Sequence, residues 1–220
     1  MSVAFPRLAV VSPSTDRTVY LVRKLVPNAK EDDLEIPKVA VAMGFAAGGG
    51  LELAKLAGLS GGDARGLVAT ATANLAKGPR EWSVIEKSGL IFKKPSMLRA
   101  IGDTGVPVTS MSTDGMGVDD LSSDLLLDQT FMARACEMLG GAELIAAVPK
   151  RGWLVVGRCS PGQFPVMLKF EQLAEGIASR AGSHALATAC FFVLAGKLHG
   201  ISGKGYVSLV TRTENPWNLE

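Results

Sequence analysis

The stretch from Ala142 to Cys159, "AELIAAVPKRGWLVVGRC", constrains the fold more than any other part of the sequence. Two apolar runs flank a short "PKRG". A connection that short cannot hold a crossover helix, so the runs must pair antiparallel as a hairpin. Ile145 and Val148 are expected on one strand, Leu154 and Val156 on the next, with Pro149–Gly152 between them. Pro149 has no N–H to give a ladder and belongs at a strand end. Gly152 suits a turn that needs positive φ. Lys150 and Arg151 are then expected to project into solvent.

The rest of the chain supplies the elements that must pack with this hairpin. "RLAVVS", "TVYLVRKL" and "EIPKVAVAMGF" read as strands, and "AAGGG" as a turn. "LELAKLAG" reads as a short helix ended by Gly58. A second helix should start after Ser60, with Asp63 in its first turn, and stop at Gly78-Pro79. "EWSVIEKSGLIFKKP" suggests a hairpin around Ser88-Gly89, and "VPVTSMST" a strand. Asp128 is placed to cap a helix that runs to Leu139 and ends at Gly140-Gly141. A further helix should begin near Pro165, with Phe170, Leu173, Ile177 and Ala181 on one face and Gly182 as its cap. "TACFFVLAGKLHGI" and "YVSLVTR" close the chain as strands. The expected class is α+β, a largely antiparallel sheet with packed helices. The organisation expected is a single domain over 1–220, with two lobes divided by a weak seam near 112–118 as the alternative.

Composition narrows the functional classes. With 47% hydrophobic residues, the chain has enough apolar side chain to offset the entropy of ordering it. A net charge of +2 argues against a dedicated nucleic-acid binder. The charge is nevertheless segregated: residues 113–145 carry seven acids against Arg134 alone, and residues 146–220 carry eight bases against four acids. Cys136, Cys159 and Cys190 form no C-x-x-C pair, so free thiols in a reducing cytoplasm are expected in place of a zinc site or disulfide framework. The opening "MSVAFPRLAVVSPSTDR" lacks a basic segment followed by a long apolar one, and no signal peptide is expected. The uncharged apolar run Ala185–Gly196 is too short to span a bilayer.

The chemical motifs are weak. Gly58-Leu59-Ser60-Gly61-Gly62 has the G-x-S-x-G spacing, but a nucleophile elbow needs a strand before its serine, and here a helix is expected. Gly44 to Leu53 is glycine-rich without the Lys-Ser/Thr of a phosphate loop. The acids from Asp114 to Asp128 lack calcium-loop spacing, and Asp119, Asp120 and Asp128 suit helix caps. His184 and His199 have no carboxylate neighbour in sequence. Lys93-Lys94 and Lys150-Arg151 fall at turns, where solvated loop tips explain them.

Three segments together resemble the YtpQ-like family of uncharacterised bacterial proteins. They are "LAGLSGGDARGLVATATANL", "LSSDLLLDQTFMARACEMLGGAELIAAVPKRGWLVV" and "GSHALATACFFVLAGK". The resemblance implies an α+β fold in a bacterial, cytoplasmic protein, and no reaction. Val148, Pro149 and Arg151 match that family's hairpin pattern, and Gly152 stands where the pattern tends to have an acid. The functional expectation is a non-catalytic protein that binds another protein, as a regulator, adaptor or immunity protein does. Lys150 and Arg151 are its expected contacts. No catalytic residue, cofactor or metal is assigned, and neither nucleic acid nor membrane is an expected partner. The alternative is an enzyme or small-ligand-binding protein, a hydrolase among the options, drawing on Ser60, His184, His199 and Arg151.

Overall fold

The two runs of the hairpin do pair, and the rest of the sheet is built outward from them. The structure is a computed structural model that describes residues 3–10, 22–24, 39–47, 50–53, 61–85, 96–102, 120–203 and 206–209. In chain order the elements are β1 Val3–Val10, β2 Val22–Lys24, β3 Val39–Ala47, β4 Gly50–Leu53, α1 Gly61–Lys77, β5 Arg80–Ile85 and β6 Met97–Gly102. They continue with α2 Gln129–Leu139, β7 Glu143–Ala147, β8 Val155–Arg158, α3 Phe164–Ala178, β9 Cys190–Leu194, β10 Lys197–Gly203 and β11 Tyr206–Leu209. Short 3-10 turns occupy Asp124–Leu127 and Gly182–His184.

β5 to β11 form a seven-stranded sheet in the order β11-β10-β9-β7-β8-β6-β5, and every pairing in it is antiparallel. The fold is α+β. The central strands are buried on both faces, which is why "ELIAAV" and "CFFV" read as continuous apolar runs. Leu144, Ala146, Val156, Phe191 and Val193 join a core with Leu75, Phe131, Met132 and Leu139. Ile145, Ala147, Val155, Cys190 and Phe192 face Met167, Phe170 and Ala174 of α3. Burying each such Leu, Ile or Phe is worth about 1.5–3 kcal/mol. Gly157 makes room for α3: a Cβ there would stand 2.6 Å from Cζ of Phe170.

A second, four-stranded sheet has β3 at its centre, with β1 along one edge and β2 followed by β4 along the other. It joins the first core through β1, where Leu8 is fully buried and its N–H donates to Oδ1 of Asp124 at 2.6 Å. α1 packs on β1.

Several expectations are refined. Residues 50–53 form a strand in place of the start of a helix, because Leu51 and Leu53 alternate with Gly50 and Glu52 and the segment pairs back on β3. β5 pairs with β6, "MLRAIG", a strand the sequence patterning did not suggest. The proposed turn at Ser88-Gly89, the strand "VPVTSMST" and the seam near 112–118 lie outside the described residues, as does Ser60. α2 and its Asp128 cap are as expected: Oδ1 accepts from the N–H groups of Thr130 and Phe131, and Gly140 closes the helix at φ 71. α3 begins with Pro165 in its first turn and is rotated from the expected face. Met167, Phe170, Glu171, Ala174 and Ala178 are buried, while Leu173 and Ile177 are half-buried. The helix ends at Ala178 with Ser179 as its cap, so Gly182 opens the following 3-10 turn instead of capping the helix.

Candidate partner-binding site

The connection from Val148 to Leu154 is longer than a tight hairpin turn, because β7 stops at Ala147 and β8 starts at Val155. Lys150 forms a β-bridge with Ala185. The bridge is closed by Leu186 N–H donating to Pro149 O at 2.9 Å and Arg151 N–H donating to His184 O at 3.0 Å. A turn follows, in which Trp153 N–H donates to Lys150 O at 3.2 Å. Gly152 stands third in that turn at φ 71, the position that demands a residue tolerant of positive φ. Its free side is filled by the carboxylate of Asp120, so a side chain there would collide. Asp120 is itself held by Ser122, whose N–H donates to Oδ1 at 2.8 Å.

This arrangement corrects the expectation that Lys150 and Arg151 project freely. Both are half-buried, because the bridge draws the turn against the segment after α3. Lys150 turns its ammonium toward Trp153, with Nζ 5.4 Å from the ring centroid. Arg99 of β6 reaches the same ring, its Cζ 4.1 Å from the centroid. Both fall within the ~6 Å over which the ring quadrupole attracts a cation. Among the described residues neither Arg99 nor Lys150 meets a carboxylate. Two buried donors of the pair, Nε of Arg99 and Nε1 of Trp153, have no acceptor among the described residues. A buried donor left so costs about 1–3 kcal/mol.

Of the other candidates among the described residues, two come together and His199 stands apart. Arg151 and His184 meet through their backbones. His199 lies at the irregularity between Leu198 and Gly200, level with Leu144 and Ile145 across β9. At about 3.3 Å per residue this separates it from the Lys150–Ala185 bridge by roughly 15 Å. The cysteines are buried and unpaired with one another. Burial, with Glu143 nearby, pushes the Cys159 thiol up to about 11. Burial, then Glu171 and Cys159, pushes Cys190 well above the ordinary thiol range. Both therefore stay protonated near neutrality and are poor nucleophiles. Between α3 and β10, Ser202 Oγ donates to Oε1 of the buried Glu171 at 2.5 Å. Among the described residues no group of three or more His, Cys, Asp or Glu could hold a metal ion, and no helix is long and apolar enough to cross a membrane.

Sequence reasoning missed Arg99 and Trp153 as a pair. The available signal was a charged residue inside the apolar alternation of Leu98, Ala100 and Gly102, but the stack depends on the register of β6 against β8. No family model matches the chain, and neither a curated protein nor a solved structure does. The resemblance to the YtpQ-like family therefore rests on the three sequence segments alone.

Proposed function

We propose that this chain is a non-catalytic binding protein of the regulator, adaptor or immunity type. Its protein partner docks at the end of the sheet where Lys150 and Arg151 lie. The observation that carries the reading is the Arg99–Trp153–Lys150 cluster. Two cations share one aromatic ring, and neither has a carboxylate among the described residues. A bacterial cytoplasmic setting belongs to the same reading and follows from the resemblance to the YtpQ-like family. The test is a pull-down with the full tagged chain at low and high salt, repeated with Lys150→Ala/Arg151→Ala. A partner held by charge is expected to be captured at low salt, reduced at high salt and lost with the double variant. A partner retained equally by the double variant, or no salt-sensitive partner at all, overturns the reading.

A further inference from the structure

Among the described residues, α3 packs on β7, β9 and β10 and reaches β8 through Phe170. The register fixes which side chains share this face. Arg99 is opposite Val155, and Met97 is opposite Gly157; both therefore lie on the side that packs against Phe170. Ile101 on β6 and Ile85 on β5 fall on the same side by strand alternation. Ile101 is 45% exposed and Ile85 36% exposed. The face is thus a shelf of Met97, Ile101 and Ile85 around one arginine, with the exposed Ser83 and Glu81 on its outer strand and Trp153 and Lys150 at its border.

Resting on the partner-binding reading, we infer that this shelf is the docking face, and that it takes a protein segment in which a carboxylate stands next to an apolar side chain. Arg99 supplies the specificity. The guanidinium lies against the Trp153 ring with its Nε buried, which leaves the two terminal Nη groups as the pair that would grip a carboxylate with two hydrogen bonds. Lys150 adds a second positive charge near the same ring. Ile85 and Ile101 offer apolar area to the neighbouring side chain. Polyanions fit poorly, because Glu81 lies exposed beside Ile101 in the register and Asp120 backs Gly152. A run of phosphates would meet Glu81 as well as Arg99, whereas a single carboxylate held at Arg99 stands opposite Ser83.

The experiment is a titration of the 15N-labelled full chain with the peptide acetyl-Leu-Glu-Glu-Leu-amide and with its glutamine counterpart. The Trp153 indole and Arg99 Nε–H signals are read by NMR, assigned with Trp153→Phe and Arg99→Gln. The glutamate peptide is expected to move both signals, and the glutamine peptide to bind at least about tenfold more weakly, as loss of a charge-assisted hydrogen bond implies. Ile101→Glu changes an exposed residue, so it should fold normally and weaken the glutamate peptide by about tenfold through like-charge repulsion. Signals that stay fixed, or that respond equally to both peptides, overturn the inference. A partner retained by Ile101→Glu but lost with Lys150→Ala/Arg151→Ala also overturns it, while sustaining the broader binding reading. Peptide binding with the expected pattern, but no salt-sensitive partner from the host, sustains the carboxylate shelf and removes the adaptor reading.

Discussion

Arg80 and Arg99 stand on neighbouring strands of one sheet, on its opposite faces, and each lies against an aromatic ring. Arg80 is enclosed. Its Nη1 donates to Asp128 at 2.5 Å and to Leu75 O at 3.1 Å, and its Cζ is 5.9 Å from the Phe131 centroid. Trp82 stacks on the same Phe131 at 4.3 Å and donates Nε1–H to Phe131 O at 3.1 Å. Asp128 meanwhile caps α2, so one carboxylate ties the end of α1, the start of α2 and strand β5 together. Among the described residues, Arg99 has the ring without the carboxylate, and the indole beside it has no acceptor. The same side-chain chemistry serves as a structural clasp where its hydrogen bonds are complete. Where they are not, buried donors are left over.

Stability measurements can break that contrast. Asp128→Ala should have the largest effect. It leaves a half-enclosed guanidinium without its partner and α2 without its cap, and should cost roughly 3–5 kcal/mol in urea unfolding. A loss below about 1 kcal/mol would show that the clasp is not one. Gly152→Ala should come next, at about 1–3 kcal/mol, because the positive φ and the carboxylate of Asp120 both oppose a side chain. Since the same turn carries Lys150 and Trp153, that variant should also weaken partner capture. Arg99→Met should matter least to folding. It removes a buried donor with no acceptor while keeping the apolar stem, so thermal unfolding should place it within about 1 kcal/mol of the parent chain, of either sign. A loss like that of Asp128→Ala would mean that Arg99 is a second clasp, and the sheet face beside it would lose its claim to a partner.

The parts of this fold that were legible in the sequence are those whose signal is local. The hairpin announced itself because the connection between its apolar runs is too short for any alternative. The cap of α2 was readable because Asp128 sits directly before the helix whose N–H groups it accepts. β6 was hidden because Arg99 interrupts its apolar alternation, and β4 because its short leucine-bearing run suits a helix or a strand equally. The face of α3 was misjudged because its angle on the sheet, not its own composition, selects Met167, Glu171, Ala174 and Ala178 for burial alongside Phe170. Lys150 was found, but the Trp153 ring it faces and Arg99 on the same ring were not. The Trp153 stack exists only once β6 has paired with β8.

The slot at Gly157 has a consequence for how this sequence can vary. Strand β8 can admit the Phe170 ring only while position 157 has no side chain. A change at either position alone therefore leaves a collision or a void. Among chains that share this architecture, residues 157 and 170 should covary, with glycine opposite an aromatic ring or a small side chain opposite a smaller aliphatic one. Helix α3 and strand β8 would then drift through sequence space as a coupled pair, while the exposed residues between them change independently.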